Sequence, residues 1–152
     1  MVAAGQVVRA SDDVLLTKIG CRLRRAANQS IPNITPTAIL FDTEDDDTSE
    51  FIAVTSTTVT IPAGYDGLYA ITFRVAMSLA AGRSFAELTF SSAVTGLPNL
   101  RVPGSTLEGS ILASPTVPLL AGDSFTAVVF QSTGGATNAT AWLSCYRIGV
   151  FD

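Results

Sequence analysis

GLYAITFRVAM, residues 67–77, is the stretch that decides the fold. Its large residues recur at every second position, which predicts a β-strand with one face in a core. The positions on that face are Tyr69, Ile71, Phe73, Val75 and Met77. The second face is small or apolar apart from Arg74, where a solvated face would alternate polar and charged residues. It comprises Leu68, Ala70, Thr72, Arg74 and Ala76, and we expect something other than water to cover it.

The rest of the chain carries the same signal in shorter runs. Segments rich in Val, Ile, Thr, Phe and Tyr are separated by Gly, Pro, Asn and Asp, which is the pattern of an all-β domain. We predict strands near residues 20–28, 36–42, 57–61, 67–78, 84–93, 106–114, 123–131 and 140–150. Eight or so strands in 152 residues predict a sandwich or a jelly roll.

One short helix is predicted at the N-terminal end, in SDDVLLTKIG at residues 11–20. Ser11 can cap the first free amides, and Gly20 can adopt the left-handed conformation that ends a helix. A helix of about two turns is marginal alone in water, so its apolar side chains must dock onto the sandwich or onto another protein. Those side chains are Val14, Leu15, Leu16 and Ile19. We therefore divide the chain into an arm, residues 1–20, and a β domain, residues 21–152.

Composition restricts the classes of partner. Charged residues make up 14% of the chain, against about 25% in typical domains, so a soluble monomer would have an unusually apolar surface. The net charge is −4 and the isoelectric point is near 4.6, which argues against nucleic acid as a partner. No segment near Met1 has the form of a signal peptide, and no stretch is as long and apolar as a membrane span. We expect synthesis in a cytoplasm and no membrane contact.

The residues that common catalytic sites need are missing. The chain has no His, which excludes Ser-His-Asp and Cys-His pairs and His-ligated zinc. A hydrolase built from carboxylates would have to use Glu87 and Glu108 in predicted strands, where most carboxylates are solvated or paired. We therefore expect no enzymatic activity. Cys21 and Cys145 are too few for a disulfide framework; they could be neighbours in one sheet, and we favour two buried free thiols.

The segment DTEDDDTSE, residues 42–50, concentrates negative charge. Its possible Ca²⁺ ligands are Asp42, Glu44, Asp45, Asp46 and Asp47, because Ca²⁺ takes several oxygen ligands. The spacing fails the EF-hand pattern, which needs Gly where Asp47 stands and Glu where Ala53 stands. We favour a solvated loop that charge repulsion keeps exposed. A third alternative is a contact between subunits with the arginines at 22, 24 and 25. No other cofactor is expected.

Three motifs resemble the C1q domain family. GLYAITF, residues 67–73, is similar to its signature of alternating Gly, Tyr and aromatic residues, with Ile71 where the family usually has Phe. LLAGDSF, residues 119–125, is similar to its Leu-x-x-Gly-Asp-x-Val turn and strand. LSCYRI, residues 143–148, resembles its closing strand, with Cys145 in place of Gly and Arg147 in place of an apolar residue. The motifs occur in the family's order over roughly residues 36–150.

The resemblance implies a C1q/TNF-like jelly roll of about eight to ten antiparallel strands. Domains of this family form tight trimers in which one sheet of each subunit faces the threefold axis, so the second face of residues 67–77 would be buried between subunits. Burial of apolar area in a closed assembly favours the same arrangement. The alternative is that this face lies under a loop. Our core and trimer positions are Tyr69, Ile71, Phe73, Ala70, Thr72, Ala76, Phe125, Trp142 and Tyr146.

The arm and the segment CRLRRAANQSIPNITPTAILFDTEDDD, residues 21–47, resemble small virion proteins of tailed bacteriophages. This implies a homotrimer on the particle exterior, attached to other capsid or tail proteins through Val14, Leu15, Leu16 and Ile19, most simply as capsid decoration. A secreted cellular C1q-like protein is disfavoured, because we find no export signal.

The alternative function is recognition of the host. A tail-tip or fibre-head module would bind a surface glycan or protein through the loops predicted at residues 42–50, 94–105 and 132–139. These loops contain no Trp and no Tyr, the residues that commonly anchor such contacts. We therefore favour the structural role.

Overall fold

The computed structural model describes residues 18–48, 50–52, 56–77, 82–91, 97–104, 111–113 and 116–150. Eleven strands lie in this part of the chain: β1 (Gly20–Ile31), β2 (Thr37–Ala38), β3 (Thr43–Asp47), β4 (Thr58–Thr60), β5 (Gly67–Met77), β6 (Ser84–Ser91), β7 (Leu100–Pro103), β8 (Ile111–Ala113), β9 (Val117–Leu119), β10 (Ser124–Gln131) and β11 (Thr137–Gly149). The described residues include no helix, and therefore no helix that could span a membrane. The all-β prediction is confirmed.

The strands form two antiparallel sheets. The six-stranded sheet has the order β3-β1-β11-β5-β8, and β9 also pairs with β5. The five-stranded sheet has the order β2-β10-β6-β7, and β4 also pairs with β10. Alternate residues of both sheets point into the space between them, as in any sandwich. The predicted jelly roll is therefore the observed architecture.

The core lies between the sheets and contains the large residues of β5. Tyr69 and Phe73 are completely buried, and Ile71 is 1% exposed. Phe125 reaches the same core from β10 and is also 1% exposed. Buried aromatic rings of this size contribute much of a small domain's hydrophobic stabilisation.

Glycine at the start of β5 is required by close packing. A Cβ atom on Gly67 would lie 2.3 Å from the carbonyl oxygen of Gly149 in β11 and 2.7 Å from the Cδ atom of Arg147. Because a backbone oxygen cannot move aside as a flexible side chain can, any larger residue would push β5 and β11 apart. The Gly of the GLYAITF motif therefore has a packing reason in this chain.

The strand prediction was wrong at several short elements. β7 and β9 were not predicted, since both are short and contain proline, which occurs in sheets mainly at edges. Of the predicted strand at 36–42, two residues form β2. The residues after β2 remain extended: the Ile39 N–H donates to the Ala127 carbonyl at 2.9 Å, and the Phe41 N–H donates to the Ser56 carbonyl at 3.3 Å. In the strand predicted at 106–114, residues 111–113 form β8, and residues 106–110 and 114 lie outside the described part of the chain.

Most of the predicted helix, with Val14, Leu15 and Leu16, also lies outside the described residues. Its C-terminal end is not helical, because Lys18 and Ile19 precede β1 directly and Gly20 is the first strand residue, with φ of +148°. Ile19 packs against the core, and its carbonyl accepts a hydrogen bond from the Arg147 N–H at 2.8 Å. Ile19, which we predicted to belong to the attachment surface, thus contacts its own β domain.

The two cysteines face each other across the six-stranded sheet. Cys21 in β1 pairs in register with Cys145 in β11. Both side chains are 0% exposed, and both are free thiols. Burial raises the pKa of both thiols, because the apolar core disfavours the thiolate.

This burial predicts a loss of stability at alkaline pH. The folded protein keeps both thiols protonated, whereas a thiol of the unfolded chain ionises with a pKa of about 8.5. Because ionisation stabilises only the unfolded state, the free energy of unfolding should fall as the pH rises above about 8.5. Denaturant titrations at about pH 7.5 and about pH 9.5 measure this change. A variant with Cys21→Ala and Cys145→Ala should show a smaller fall, and an equal fall would contradict the explanation.

Candidate interface on the six-stranded sheet

The side of the six-stranded sheet that faces away from the core is the candidate interface; we call it the outer face. Its centre is formed by two neighbouring strands, β5 and β11. From β5 come Ala70, Thr72, Arg74 and Ala76, and from β11 come Trp142, Ser144 and Tyr146. The trimer positions predicted on these two strands are thus brought together on one surface, directly behind the core residues Tyr69, Ile71 and Phe73.

Apart from Arg74, the centre of the outer face carries apolar, aromatic or small polar residues, and it is open in the single chain. Thr72 and Arg74 are exposed, while Ala70 and Ala76 are half-buried. Trp142 is 39% exposed, which is high for so large an apolar side chain. Exposure of Thr72 speaks against the alternative in which a loop of the same chain covers this face.

Trp142 lies between two arginines. The register places Arg24 of β1 opposite Trp142 on one side and Arg74 of β5 opposite it on the other. The Arg74 guanidinium is 5.0 Å from the centroid of the Trp142 ring, within the range of a cation–π contact. Trp142 therefore has a cation on each side of it along the sheet.

Residues 43–47 of the acidic segment form the strand β3, where we favoured a loop. β3 pairs with β1 at the edge of the six-stranded sheet. Its charge is neutralised from the side by cations: Arg24 donates to Asp45 from Nη2 at 2.7 Å and from Nε at 3.0 Å, and Arg22 lies 3.9 Å from the same carboxylate. The pairing with these arginines therefore occurs within the chain.

Asp46 joins the same network from its own position on β3. Lys18 Nζ lies 3.3 Å from the Asp46 carboxylate, and the Tyr146 hydroxyl donates to that carboxylate at 3.2 Å. The Lys18 ammonium also lies 4.0 Å above the Tyr146 ring. Tyr146 therefore connects the predicted trimer surface of β11 to the acidic strand.

Asp42 and Asp47 are occupied by backbone amides. Asp42 accepts hydrogen bonds from the N–H groups of Ala26 and Ala27 at 2.8 Å and 3.0 Å, and Arg25 lies 3.2 Å away. Partial desolvation acts to raise the pKa of Asp42, but the two amide hydrogen bonds, Thr43 and Arg25 together lower it.

Asp47 fixes the chain after β3. It accepts from the N–H groups of Phe51 and Ile52 at 2.9 Å and 3.2 Å. Phe51 is 1% exposed, so the carboxylate satisfies amides of residues that have entered the core.

The possible Ca²⁺ ligands are therefore spread along an edge strand. Glu44 is exposed, and the four aspartates each have the separate partners given above. Within the described ranges, no three Asp, Glu or Cys side chains come together in a way that could hold a metal ion. The carboxylates of this segment instead form contacts that hold β3 against β1 and fix the chain around it.

The loops predicted to contact a host are partly used in the sheets. Residues 43–47 form β3, residues 100–103 form β7, and residues 137–139 begin β11. Residues 94–96 and 105 lie outside the described part. The remaining described stretches, 97–99 and 132–136, are connections between strands.

The two ends of the acidic strand allow a matched test. Asp47→Ala leaves the buried Phe51 and Ile52 amides without this acceptor, so we expect the free energy of unfolding to fall by about 1–3 kcal/mol. Glu44→Ala removes the same charge from an exposed position and should change it by less than about 0.5 kcal/mol. Urea unfolding of both variants measures the difference; equal effects would show that charge, not amide acceptance, is what matters.

Comparison with known proteins identifies the fold. No protein-family model matches the chain, and no curated protein is similar to it in sequence. Among solved structures, the globular domain of zebrafish complement 1qA is 16% identical, with a TM-score of 0.62 over 88% of this chain and 100% of that one. PRD1 vertex protein P5 is 15% identical, with a TM-score of 0.63 over 88% and 98%. Murine APRIL at pH 8.5 is 12% identical, with a TM-score of 0.58 over 85% and 99%.

These three proteins differ from the chain in most of their residues, so the likeness is one of architecture. It agrees with the order of the two sheets and with the motifs around Gly67, Gly122 and Cys145. The chain has the C1q/TNF-like jelly-roll fold, which it shares with a complement domain, a TNF-family protein and a phage virion protein.

Proposed function

We propose that the chain is a non-enzymatic structural protein of a bacteriophage particle. Three copies associate through the outer face of the six-stranded sheet, and the N-terminal arm attaches the trimer to other virion proteins on the particle exterior. Capsid decoration is the role that we favour. The observation that carries the proposal is the uncovered, nearly uncharged centre of the outer face, together with the fold shared with a vertex protein.

The outer face has the composition of an interface core. Interfaces are depleted of charge at their centre and enriched in aromatic residues and arginine. The uncharged residues Ala70 and Thr72 lie at the centre of the outer face. Trp142 supplies the aromatic residue, and Arg24 and Arg74 flank Trp142. Burying Trp142 would gain roughly 25 cal/mol per Å² of apolar area. The charge-poor composition of the chain is explained if this surface is never exposed to solvent.

The acidic strand supports a closed assembly rather than an open one. Asp45 and Asp46 are paired within the chain, so the charge that the edge strand presents to a neighbouring copy comes mainly from the exposed Glu44. Charged edge strands also prevent pairing of sheets edge to edge. Copies are thus directed to meet through their faces.

The carboxylate chemistry considered for a hydrolase finds no support in the described residues. Glu87 is 6% exposed and is held by Arg101, Thr89 and Asn99. A carboxylate held by these three donors has a structural role in the sheet. Glu108 lies outside the described part of the chain.

Trp142 gives a direct test of association. Trp142→Lys places a third cation between Arg24 and Arg74, and loss of a central interface aromatic typically costs about 2 kcal/mol or more. Light scattering should give about three times the chain mass of 15.8 kDa for the unaltered protein and the mass of one chain for the variant. The control is Ile34→Lys, since Ile34 is 67% exposed on a connection away from this face. A single-chain mass for the unaltered protein would refute the trimer.

The arm gives a separate test of attachment. Deletion of residues 1–17 removes Val14, Leu15 and Leu16 but keeps Ile19, whose carbonyl bonds to Arg147. We expect the shortened protein to form the same trimer and to be absent from purified particles. Sedimentation of particles assembled with the shortened or the complete chain measures incorporation. Equal incorporation would contradict attachment through the arm.

Host recognition is the second candidate function. One feature favours it, an aromatic and basic groove on the five-stranded sheet, lined by Phe85, Phe130, Arg83 and Arg101. Of the loops predicted for the role, only the one at residues 94–105 contributes to the described lining of this groove, through Arg101, Pro103 and Gly104. A tail-tip or fibre-head module would use such a surface while keeping the same trimer.

A further inference from the structure

A groove of about 500 Å³ opens on the side of the five-stranded sheet that faces away from the core. Small-molecule sites commonly measure about 300–1,000 Å³. Its described lining comes from the neighbouring strands β6, β7 and β10 and from residues next to β6 and β7, all within one chain. Its lining residues are Gly82, Arg83, Ser84, Phe85, Arg101, Pro103, Gly104 and Phe130.

Two phenylalanines stand on this solvent side of the sheet. The adjacent residues Ala86 and Val129 are 0% exposed in the core, and side chains alternate along a strand, so Phe85 and Phe130 point the other way. Their rings are stacked, with centroids 4.9 Å apart and planes 8° apart. A solvated sheet face does not need a paired apolar surface of this kind.

Arg101 is held in place beside the rings. Its guanidinium carbon lies 3.9 Å from the Phe85 centroid, and its Nε–H donates to the buried Glu87 carboxylate. Glu87 also accepts from Thr89 at 3.2 Å and from Asn99 at 3.3 Å. With Nε fixed, the two terminal amino groups of Arg101 remain as donors, and they make no hydrogen bond to another described residue. Arg101 is thus preorganised to receive an anionic group.

Arg83 adds a second positive charge at one end of the groove. Its backbone is fixed by Ser132, whose hydroxyl accepts from the Arg83 N–H at 3.2 Å. The Arg83 side chain is exposed and forms no ion pair with a described residue. Since Glu87 balances Arg101, the groove has an excess of positive charge in a chain whose net charge is −4.

We propose that this groove binds a sugar residue that carries a carboxylate, such as the acidic residues of a cell-surface polysaccharide. The carboxylate would accept hydrogen bonds from Arg83 and the terminal groups of Arg101, as arginines bind carboxylates elsewhere. The apolar C–H groups of the sugar ring would pack against the parts of the Phe85 and Phe130 rings that remain exposed beside Arg101.

The geometry favours a sugar over a nucleotide base. β6 lies between β7 and β10, so Arg101 and Phe130 cover Phe85 from its two sides, and no open slot remains between the rings for a flat base. The net negative charge of the chain also opposes a polyanion. The inference does not depend on the proposed attachment role, because a monomer would contain the same groove.

The test uses the complete protein and a small panel of probes. Oligosaccharides that end in glucuronic acid, galacturonic acid or sialic acid are each compared with their methyl esters by calorimetric titration. We expect at least one acid to bind and its neutral ester to bind about tenfold more weakly, as for loss of a charged hydrogen bond. Arg83→Gln should weaken binding of the acid by a similar factor. Arg22→Gln removes an arginine from the opposite sheet and should leave binding unchanged.

Three results would overturn the proposal. These are the absence of binding to every acid in the panel, equal binding of acid and ester, and equal binding by the Arg83→Gln variant and the unaltered protein. Full displacement of the bound sugar by a dinucleotide at equal concentration would reassign the groove to nucleic acid. Circular dichroism of each variant verifies that the fold is retained.

Discussion

The two-residue alternation of β5 is the constraint on which the rest of the structure depends. It places Tyr69, Ile71 and Phe73 in the core, and the same geometry forces the intervening residues onto the opposite side. Because β5 has neighbouring strands on both sides, neither set of side chains can change the side of the sheet on which it lies. β11 and β9 pair with β5 in the register that this burial requires. Which residues form the outer face is therefore the direct consequence of how the core is made.

The two sides of the sandwich then differ in kind. The six-stranded sheet presents a broad surface around Trp142, bordered by charges that are neutralised within the chain, which suits a partner of matching shape. The five-stranded sheet presents stacked rings and arginines in a small groove, which suits a small anionic group. One jelly roll can thus self-associate on one side and bind a ligand on the other. The two functions would not compete for surface.

Sequence patterns predicted the strands in which every second side chain is buried in the core. β5 and β10 follow this rule, because alternation between core and solvent is visible in a single strand. β3 was misread, since its carboxylates are balanced by Arg22 and Arg24, which lie some twenty residues earlier in the chain. Phe85 and Phe130 were missed as a site for the same reason: each looks like an ordinary strand residue until β6 pairs with β10. The sequence did contain a signal for this site: in the two-residue alternation of β6 and β10, Phe85 and Phe130 occupy positions that should face water.

The pairing of β1 with β11 has a consequence for how the protein is made. Cys21 and Cys145 are opposite each other in space but more than a hundred residues apart along the chain. Folds dominated by such distant contacts fold slowly, in milliseconds to seconds. At a synthesis rate of about 5–20 residues per second, several seconds pass between the synthesis of β1 and that of β11, the strand with which it pairs. Its unpaired edge is then open to wrong pairing, so chaperone protection and low temperature during expression should raise the yield of native protein.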